Sequence, residues 1–357
     1  MEKIAVITSR AASLMNVCRD IAYTVKTMRK TPILLDYLPP AMQVSRMSDG
    51  CIVTMTFNPL VSKAWFLLCR DLYIRGYPAL AYVTVEGIPQ SMFISPWLKE
   101  NVKYVANSRY TASRLRKAGI KVEGIVYHGV NIDEVESIRK ELLLSKAITK
   151  KAVKEKVGDG VVFGVIASTH KRKGHSLFVD VIRRVRERRP EAKFYILSSE
   201  MAKAIYAGVD GVFVDPRFGN LTRTEVFTII SSFDFYVQPS LAEGFCLPVL
   251  EAMAFGKPCI HIAYDPLTEF SNESFNLMLD YSEVKYETFH EGIEYELHYY
   301  NVDDFANTII NAVEMITERK SEYEDRSFKA MERAKEFDVK KLYPQLLSNL
   351  EKLKGGA

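Results

Sequence analysis

The chain has 357 residues, of which 48% are hydrophobic and 26% charged, as in folded globular proteins and unlike disordered ones. This length exceeds the size at which one hydrophobic core usually stops growing, so we expect two domains. No apolar run is long enough to cross a bilayer, and the first ten residues, MEKIAVITSR, lack a basic leader and a cleavage site, so we expect a cytoplasmic protein.

The net charge of +4 is unevenly distributed along the chain. Residues 1–150 carry 21 Lys and Arg against 12 Asp and Glu, a net +9, and the remainder is therefore negative. A basic first half is compatible with a phosphorylated substrate or with peripheral contact on the cytoplasmic face of a membrane, but equally with solvated helix faces. No motif of nucleic-acid binding accompanies the charge, so no nucleic-acid partner is expected. The five cysteines are scattered without a C-x-x-C pair, which predicts buried thiols and no zinc site.

In the first half, short apolar runs alternate with amphipathic segments, the pattern of a parallel sheet wrapped by helices. Helices are predicted up to about residue 29, over 60–75 and from 109 to a glycine stop at Gly119. The predicted strands of this half are 3–8, 32–37, 51–56, 80–87, 103–108 and 122–129.

A charged segment of helical period, 133–157, leads out of the first sheet, and Gly-Asp-Gly at 158–160 indicates a hinge. The strand pattern then restarts at 161–168, 193–199, 211–216, 234–240 and 257–262, with helices over about 174–188, 222–232 and from about 247. We predict an α/β protein of two doubly wound Rossmann-like domains facing each other across a cleft. The domains are residues 1–150 and 151–335, with 336–357 as a terminal helix able to cross back to the first domain.

Ligands bind open α/β sheets at the carboxyl ends of the strands. One such loop lies in PSLAEGFCLPVLEAMAFGKPCI, Pro239–Ile260. Glu243 precedes the predicted helix, Glu251 lies inside it, and the N–H groups of Phe245, Cys246 and Leu247 would be free at its positive end, as in phosphate sites. The two carboxylates can accept hydrogen bonds from sugar hydroxyls. Alternatively, Glu243 is a solvated loop acid and Glu251 only favours the helix electrostatically; a metal site lacks a third ligand.

The second polar loop lies in IASTHKRKGHSLFVDVI, residues 166–182. A lysine at this strand-to-helix turn can pair with a diphosphate, and Lys173 is the first candidate, with Lys171 or Arg172 as substitutes. A solvated basic turn is the alternative. The spacing of a P-loop is absent, and so is a G-x-G-x-x-G after a strand, which argues against a dinucleotide-dependent dehydrogenase.

Together these segments resemble the retaining glycosyltransferases of family 4, which have the GT-B fold. AEGFCLPVLEAMAFGKPCI resembles the E-x7-E signature and the strand after it, and FGVIASTHKRKGHSLFVDVI resembles the strand and basic turn upstream. NSRYTASRLRKAGIKVEGIVYHGVNIDE, residues 107–134, is similar to the end of the family's first domain.

The resemblance implies a role for each matching position. Glu243 would bind donor-sugar hydroxyls, Lys173 would neutralise the departing diphosphate and Glu251 would bind the ribose. The other donor-side residues would be Ser168, Lys171, Arg172, Arg217, Phe218, Gly244, Phe245, Cys246 and Leu247. On the acceptor side it implies Arg10, Ser13, Asn107 and Gly129.

The chain departs from the family pattern at several of these positions. Ser168 replaces the basic residue usual five positions before Lys173, and Glu86 stands where a histidine is usual. We expect Glu86 to orient the acceptor hydroxyl, although a buried or solvated loop acid is the alternative. The segment SRAAS, residues 9–13, replaces the glycine-rich loop of the acceptor side.

The resemblance implies retaining, metal-independent transfer of a sugar from a UDP- or GDP-sugar to a hydroxyl of a glycan, lipid-linked or other acceptor, without a cofactor. Two alternatives remain. One is an epimerase or phosphorylase of the same fold, and the other is a degenerate subunit that binds nucleotide sugars without catalysis.

Overall fold

Two six-stranded parallel sheets dominate the computed structural model, which describes residues 1–144, 153–289 and 292–355. Named by the first residue of each strand, the first sheet has the order Thr31, Lys3, Gly50, Ala79, Tyr104, Val122, and the second the order Val212, Ala192, Val161, Phe235, Cys259, Leu277. The predicted fold class is therefore confirmed. The segment 145–152 of the predicted charged helix lies outside the described residues.

The strands of the first sheet are continuous apolar runs because helices cover both faces of the sheet. Successive residues of β1 show this directly: Ala5 and Ile7 belong to the core on one face, and Ile4 and Val6 to the core on the other. The strands are β1 Lys3–Ile7, β2 Thr31–Leu35, β3 Gly50–Thr56, β4 Ala79–Thr84, β6 Tyr104–Ala106 and β7 Val122–Ile125.

The helices of the first half are α1 Ala12–Thr27, α2 Ala41–Met47, α3 Lys63–Ile74, α4 Pro96–Glu100, α5 Arg109–Lys117 and α6 Ile132–Leu144. Neither α2 nor α4 is predicted from the sequence, because both are short and carry little periodic signal. Several predicted strands also end early: β4 stops at Thr84, and the residues that follow it form a loop at the edge of the sheet.

The second sheet contains β8 Val161–Ile166, β9 Ala192–Leu197, β10 Val212–Asp215, β11 Phe235–Gln238, β12 Cys259–Ile262 and β13 Leu277–Leu279. Its helices are α7 His175–Arg188, α8 Ala202–Ile205, α9 Arg223–Ser231 and α10 Leu247–Ala254. A capping box between Thr222 and Glu225 begins α9, as the sequence T-x-x-E indicates.

A small antiparallel sheet joins the two halves and is not predicted from the sequence. It has the order β14-β15-β5, where β14 is Glu283–Thr288, β15 is Ile293–Tyr299 and β5 is Ile88–Pro89. Ile293 pairs with Pro89 and Glu294 with Ile88, so a hairpin from the second half adds a strand from the first.

The chain ends in α11 Val302–Thr317, α12 Lys320–Glu336, α13 Val339–Leu342 and α14 Pro344–Lys352. Leu346, Leu347 and Leu350 of α14 are buried in the same core as Ile4 and Val6 of β1. The last helix therefore packs on the first sheet. Within the described residues, no helix is both long enough and apolar enough to span a membrane.

Candidate active site

A cleft of about 510 Å³ lies between the carboxyl ends of the two sheets. Its walls include the chain just after β1, the ends of β3 and β4, and, from the other sheet, the loops after β8, β10 and β11. Among the predicted site residues it is lined by Arg10, Ser13, Glu86, Ser168, Arg172, Lys173, Phe218 and the segment 243–247.

The N-terminus of α10 opens into this cleft without a side-chain cap. Cys246 precedes the helix in the left-handed region, at φ 75°, which is unusual for a residue other than glycine. Pro248 occupies the first turn, where the missing N–H removes no helical hydrogen bond. The positive end of the helix dipole therefore faces the cleft and favours an anion there.

Lys173, whose side chain is 14% exposed, forms an ion pair with the buried Glu243 on the wall of the cleft. The Nζ of Lys173 is 2.7 and 2.8 Å from the two carboxylate oxygens of Glu243, and Gln238 Nε2 donates to the same carboxylate at 2.8 Å. The Glu243 side chain is 5% exposed. Burial alone would raise the pKa of Glu243, but the charges of Lys173 and Arg172 outweigh it and hold the pKa below its usual value. Glu243 is therefore an ionised group in a dry setting and not a solvated loop acid.

Arg172 connects Glu243 to the first domain. Its guanidinium donates to a carboxylate oxygen of Glu86, to the Ala242 carbonyl at 3.0 Å and to Glu243 Oε2 at 3.5 Å. Its Nε is buried and has no hydrogen-bond partner among the described residues. The residue predicted to orient the acceptor, Glu86, is thus paired with a residue of the predicted diphosphate loop.

The loop that carries these cations is a 3-10 turn, Lys171–Lys173, ended by Gly174 at φ 72°. A Cβ at Gly174 would lie 2.1 Å from the Pro239 carbonyl oxygen, so only glycine permits this close approach. The turn sends its three side chains in different directions. Lys171 leaves the cleft and pairs at 2.5 Å with Glu287 of β14.

The remaining donor-side residues are divided between the cleft and its surroundings. Ser168 and Phe218 line the cleft, and the Ser168 carbonyl is 2.9 Å from His175 Nε2. Arg217 is not among the lining residues; its guanidinium donates twice to Asp215, at 2.8 and 2.6 Å.

Glu251 lies behind the cleft wall in a charged cluster between the domains. Arg223 of α9 donates to Asp20 of α1 at 2.7 Å and is 3.3 Å from Glu134 of α6. Burial raises the pKa of Glu251 to about 7 against the lowering effect of Arg223, with Asp20 and Glu134 raising it further. Glu251, predicted to bind the ribose, does not line the cleft.

The acceptor-side residues are also divided. Arg10 and Ser13 line the cleft, and Arg10 pairs with Asp36 at 3.1 Å. Asn107 and Gly129 do not line it. Asn107 Nδ2 lies 3.5 Å from the Gly244 carbonyl oxygen, and a Cβ at Gly129 would meet the Phe337 carbonyl oxygen at 2.6 Å.

The two domains touch at Gly244. A Cβ on this residue would lie 2.4 Å from Thr84 Oγ1 and 3.0 Å from the Val85 carbonyl oxygen. Glu269 adds a second contact, because its carboxylate accepts from the N–H groups of Arg109 and Tyr110 at the start of α5, at 2.9 and 2.7 Å.

Three polar residues of the cleft wall escaped the sequence analysis: Thr56, Thr84 and His128. Thr56 and Thr84 are the last residues of β3 and β4, and His128 follows β7. The sequence could have indicated these residues, because polar side chains at the carboxyl ends of parallel strands commonly line ligand sites. The five cysteines are buried and unpaired, as predicted. No three His, Cys, Asp or Glu side chains of the described ranges converge as metal ligands.

Solved structures with the same fold include a glycosyltransferase from Rickettsia africae ESF-5, with a TM-score of 0.68, 12% identity and 99% of both chains covered. A UDP-forming alpha,alpha-trehalose-phosphate synthase from Burkholderia vietnamiensis superposes over 100% of both chains, with a TM-score of 0.70 and 10% identity. At such identities the likeness concerns the fold, which is GT-B.

Sequence comparison gives the family. The model of the family described as "Glycosyl transferases group 1" matches residues 160–282. The chain is 30% identical over 356 residues to an uncharacterized glycosyltransferase of Sulfolobus islandicus rod-shaped virus 1, covering 97% of this chain and 99% of that protein. A putative glycosyltransferase of a Sulfolobus islandicus filamentous virus is 27% identical over 137 residues, 38% of this chain and 42% of that protein. The chain therefore belongs to the group 1 glycosyltransferases.

Proposed function

We propose that this glycosyltransferase moves a sugar from a UDP- or GDP-sugar to an acceptor hydroxyl, with retention at the anomeric carbon and without a metal ion. One observation carries the proposal: an ion pair between Lys173 and the buried carboxylate of Glu243 shares a cleft with the uncapped N-terminus of α10.

Lys173 and the start of α10 supply what a leaving diphosphate needs. As the glycosidic bond lengthens, negative charge develops on the diphosphate oxygens, and preorganised positive groups in a site shielded from water stabilise that charge strongly. Arg172 adds a second cation on the same wall. These groups take over the charge neutralisation for which other enzymes use a divalent metal.

Glu243 serves as a hydrogen-bond acceptor for the sugar. Lys173 contacts both carboxylate oxygens of Glu243, and Gln238 Nε2 donates a hydrogen bond to one of them. A carboxylate fixed in this way accepts hydrogen bonds from sugar hydroxyls but is poorly placed to attack the anomeric carbon. The acceptor hydroxyl itself therefore attacks, on the face that the diphosphate leaves, and its proton passes to a diphosphate oxygen.

Glu86 belongs to the acceptor side of this reaction. Its carboxylate is bound by Arg172, and a diphosphate would compete for the same guanidinium. Donor binding would thus free Glu86 to accept a hydrogen bond from the incoming hydroxyl. Arg10, 80% exposed on the opposite wall, would favour an acceptor that carries negative charge, such as a phosphorylated or lipid-linked glycan.

UDP-sugars are the first donors to test. Proteins of the same fold include Anabaena HepE, solved with UDP and glucose, and the pneumococcal O-GlcNAc transferase GtfA, solved with UDP and GlcNAc. A thermal-shift panel of UDP-, GDP- and ADP-sugars will identify the donor, since a ligand at 100 times its dissociation constant stabilises a protein by about 2.7 kcal/mol.

The decisive experiment measures turnover of that donor by Lys173→Met and Glu243→Gln variants. Both should lose at least about 100-fold in kcat, as enzymes do when one preorganised charge-stabilising group is removed. Lys203→Met is the matched control, because Lys203 pairs with Glu200 on the surface, away from the cleft. Turnover should survive EDTA, and proton NMR of the first-formed product should give the donor's anomeric configuration.

Three results would contradict the proposal. The first is unimpaired transfer by Lys173→Met, and the second is an inverted product. The third is release of an epimerised nucleotide sugar in the absence of any acceptor, which would identify an epimerase.

A further inference from the structure

His128 is a buried residue of the cleft wall that the reaction described above does not use. It follows β7, is 6% exposed and lines the cleft. Its ring stands edge-on to Tyr82 on one side, with centroids 5.1 Å apart, and to Phe245 of the donor loop on the other, at 5.3 Å. The ring is therefore held between the core of the first domain and the loop that precedes α10.

The hydrogen bonds around Tyr82 determine which nitrogen of His128 carries the proton. The Tyr82 hydroxyl has one proton, which it donates to the Val126 carbonyl at 2.8 Å. We therefore assign the nitrogen as donor and the hydroxyl oxygen as acceptor in its contact with His128 Nδ1 at 2.9 Å. A neutral imidazole has one N–H, so Nε2 carries a lone pair. Burial lowers the pKa of His128 to about 3, and the ring consequently remains neutral at physiological pH.

No described residue makes a hydrogen bond to His128 Nε2. The other nitrogen faces Tyr82, and the ring borders the cleft. An acceptor atom is thus available on the wall beside Phe245, with its ring orientation set by Tyr82.

We propose that Nε2 of His128 accepts a hydrogen bond from one hydroxyl of the transferred donor sugar, and that His128 thereby selects sugars with a hydroxyl at that position. The inference rests on the proposed function. The donor sugar, and not the acceptor, is the expected partner because His128 packs on Phe245, next to Glu243 and Gly244. An atom that only accepts rejects a fluorine at the same position, because fluorine has no proton to donate.

The first test is independent of turnover. Nitrogen NMR of the enzyme labelled with ¹⁵N-histidine, with His128 assigned by the signals lost in His128→Gln, should show a protonated Nδ1 and an unprotonated Nε2. Tyr82→Phe, which removes the hydroxyl that accepts from Nδ1, should weaken this preference. A protonated Nε2 in the wild-type enzyme would overturn the proposal.

The second test combines enzyme variants with modified donors. The panel is UDP-glucose, UDP-N-acetylglucosamine and GDP-mannose, with the deoxy and deoxyfluoro forms of whichever is hydrolysed in the absence of acceptor. His128→Phe, which keeps the ring but removes the lone pair, should lower kcat/KM for the unmodified donor about 10-fold, as expected for one hydrogen bond. His128→Gln, which offers a carbonyl oxygen near the position of Nε2, should restore part of the rate, and melting temperatures serve as the folding control.

Donors that lack the hydroxyl bound by His128, in either the deoxy or the deoxyfluoro form, should react equally slowly with the wild-type enzyme and with His128→Phe. If, at every sugar position, the rate loss from the modified donor and the rate loss from His128→Phe simply multiplied, the proposal would be overturned. It would also be overturned if His128→Phe slowed transfer to an acceptor but left donor hydrolysis at the wild-type rate. Hydrolysis of none of the donors would count against the proposed function, whereas the nitrogen spectra would still decide the state of His128.

Discussion

Replacing Glu251 by glutamine should remove much of the pH dependence of stability between about pH 5 and pH 8. Glu251 is buried between the domains, close to Arg223, Asp20 and Glu134. Burial raises its pKa from 4.5 to about 7, which makes it a carboxyl group that folding keeps protonated. Glutamine imitates the protonated form in size and in hydrogen-bonding groups.

The sign of the effect follows from the protons that each state binds. Between pH 4.5 and pH 7 the folded protein retains the Glu251 proton and the unfolded chain releases it, so the free energy of unfolding falls as the pH rises. The difference between the two pKa values corresponds to roughly 3 kcal/mol. This is an upper bound, because Asp20, whose pKa burial raises to about 6, shares Arg223 with Glu251.

Urea unfolding at pH 5, 6, 7 and 8 measures this directly. Glu251→Gln should lie within about 1 kcal/mol of the wild type at pH 5 and exceed its free energy of unfolding at pH 8 by up to about 3 kcal/mol. Glu332→Gln, which removes an exposed carboxylate paired with Lys335, should follow the wild-type profile within about 0.5 kcal/mol. Parallel pH profiles for Glu251→Gln and the wild type would show that Glu251 is ionised in the folded protein and would refute the reasoning.

Two further substitutions test the contacts between the domains. Gly244→Ala adds a Cβ 2.4 Å from Thr84 Oγ1, so it should push the domains apart. Turnover should fall at least about 10-fold while each domain stays folded. Full activity, together with an unchanged radius of gyration in small-angle X-ray scattering, would contradict this. Glu269→Ala leaves the N–H groups of Arg109 and Tyr110 without their acceptor and should destabilise the protein by about 2 kcal/mol in equilibrium unfolding. The exposed Glu273→Ala is its control, and equal losses for the two variants would argue against the contact.

The two large sheets were predictable because each buried parallel strand is a short apolar run that can be recognised locally. The bridging sheet was not. Strand β14 reads EVKYET, and its two large apolar or aromatic residues, Val284 and Tyr286, are not buried. The third strand, β5, has only two residues, in a loop about two hundred positions earlier in the chain. Its pairing depends on how the two domains meet, which no local pattern encodes.

The sequence by itself determined the cleft and most of its polar residues. Parallel strands end at one edge of their sheet, so Glu243, Lys173 and Ser168, in loops after strands, had to lie near one another. Only the tertiary structure decided which charges meet. Lys171, Arg172 and Lys173 are consecutive in the chain, but their partners are Glu287 of the hairpin, Glu86 of the first domain and Glu243 of the donor loop. A tight turn points neighbouring side chains in different directions, and the acids that receive them are brought there by the packing of distant segments.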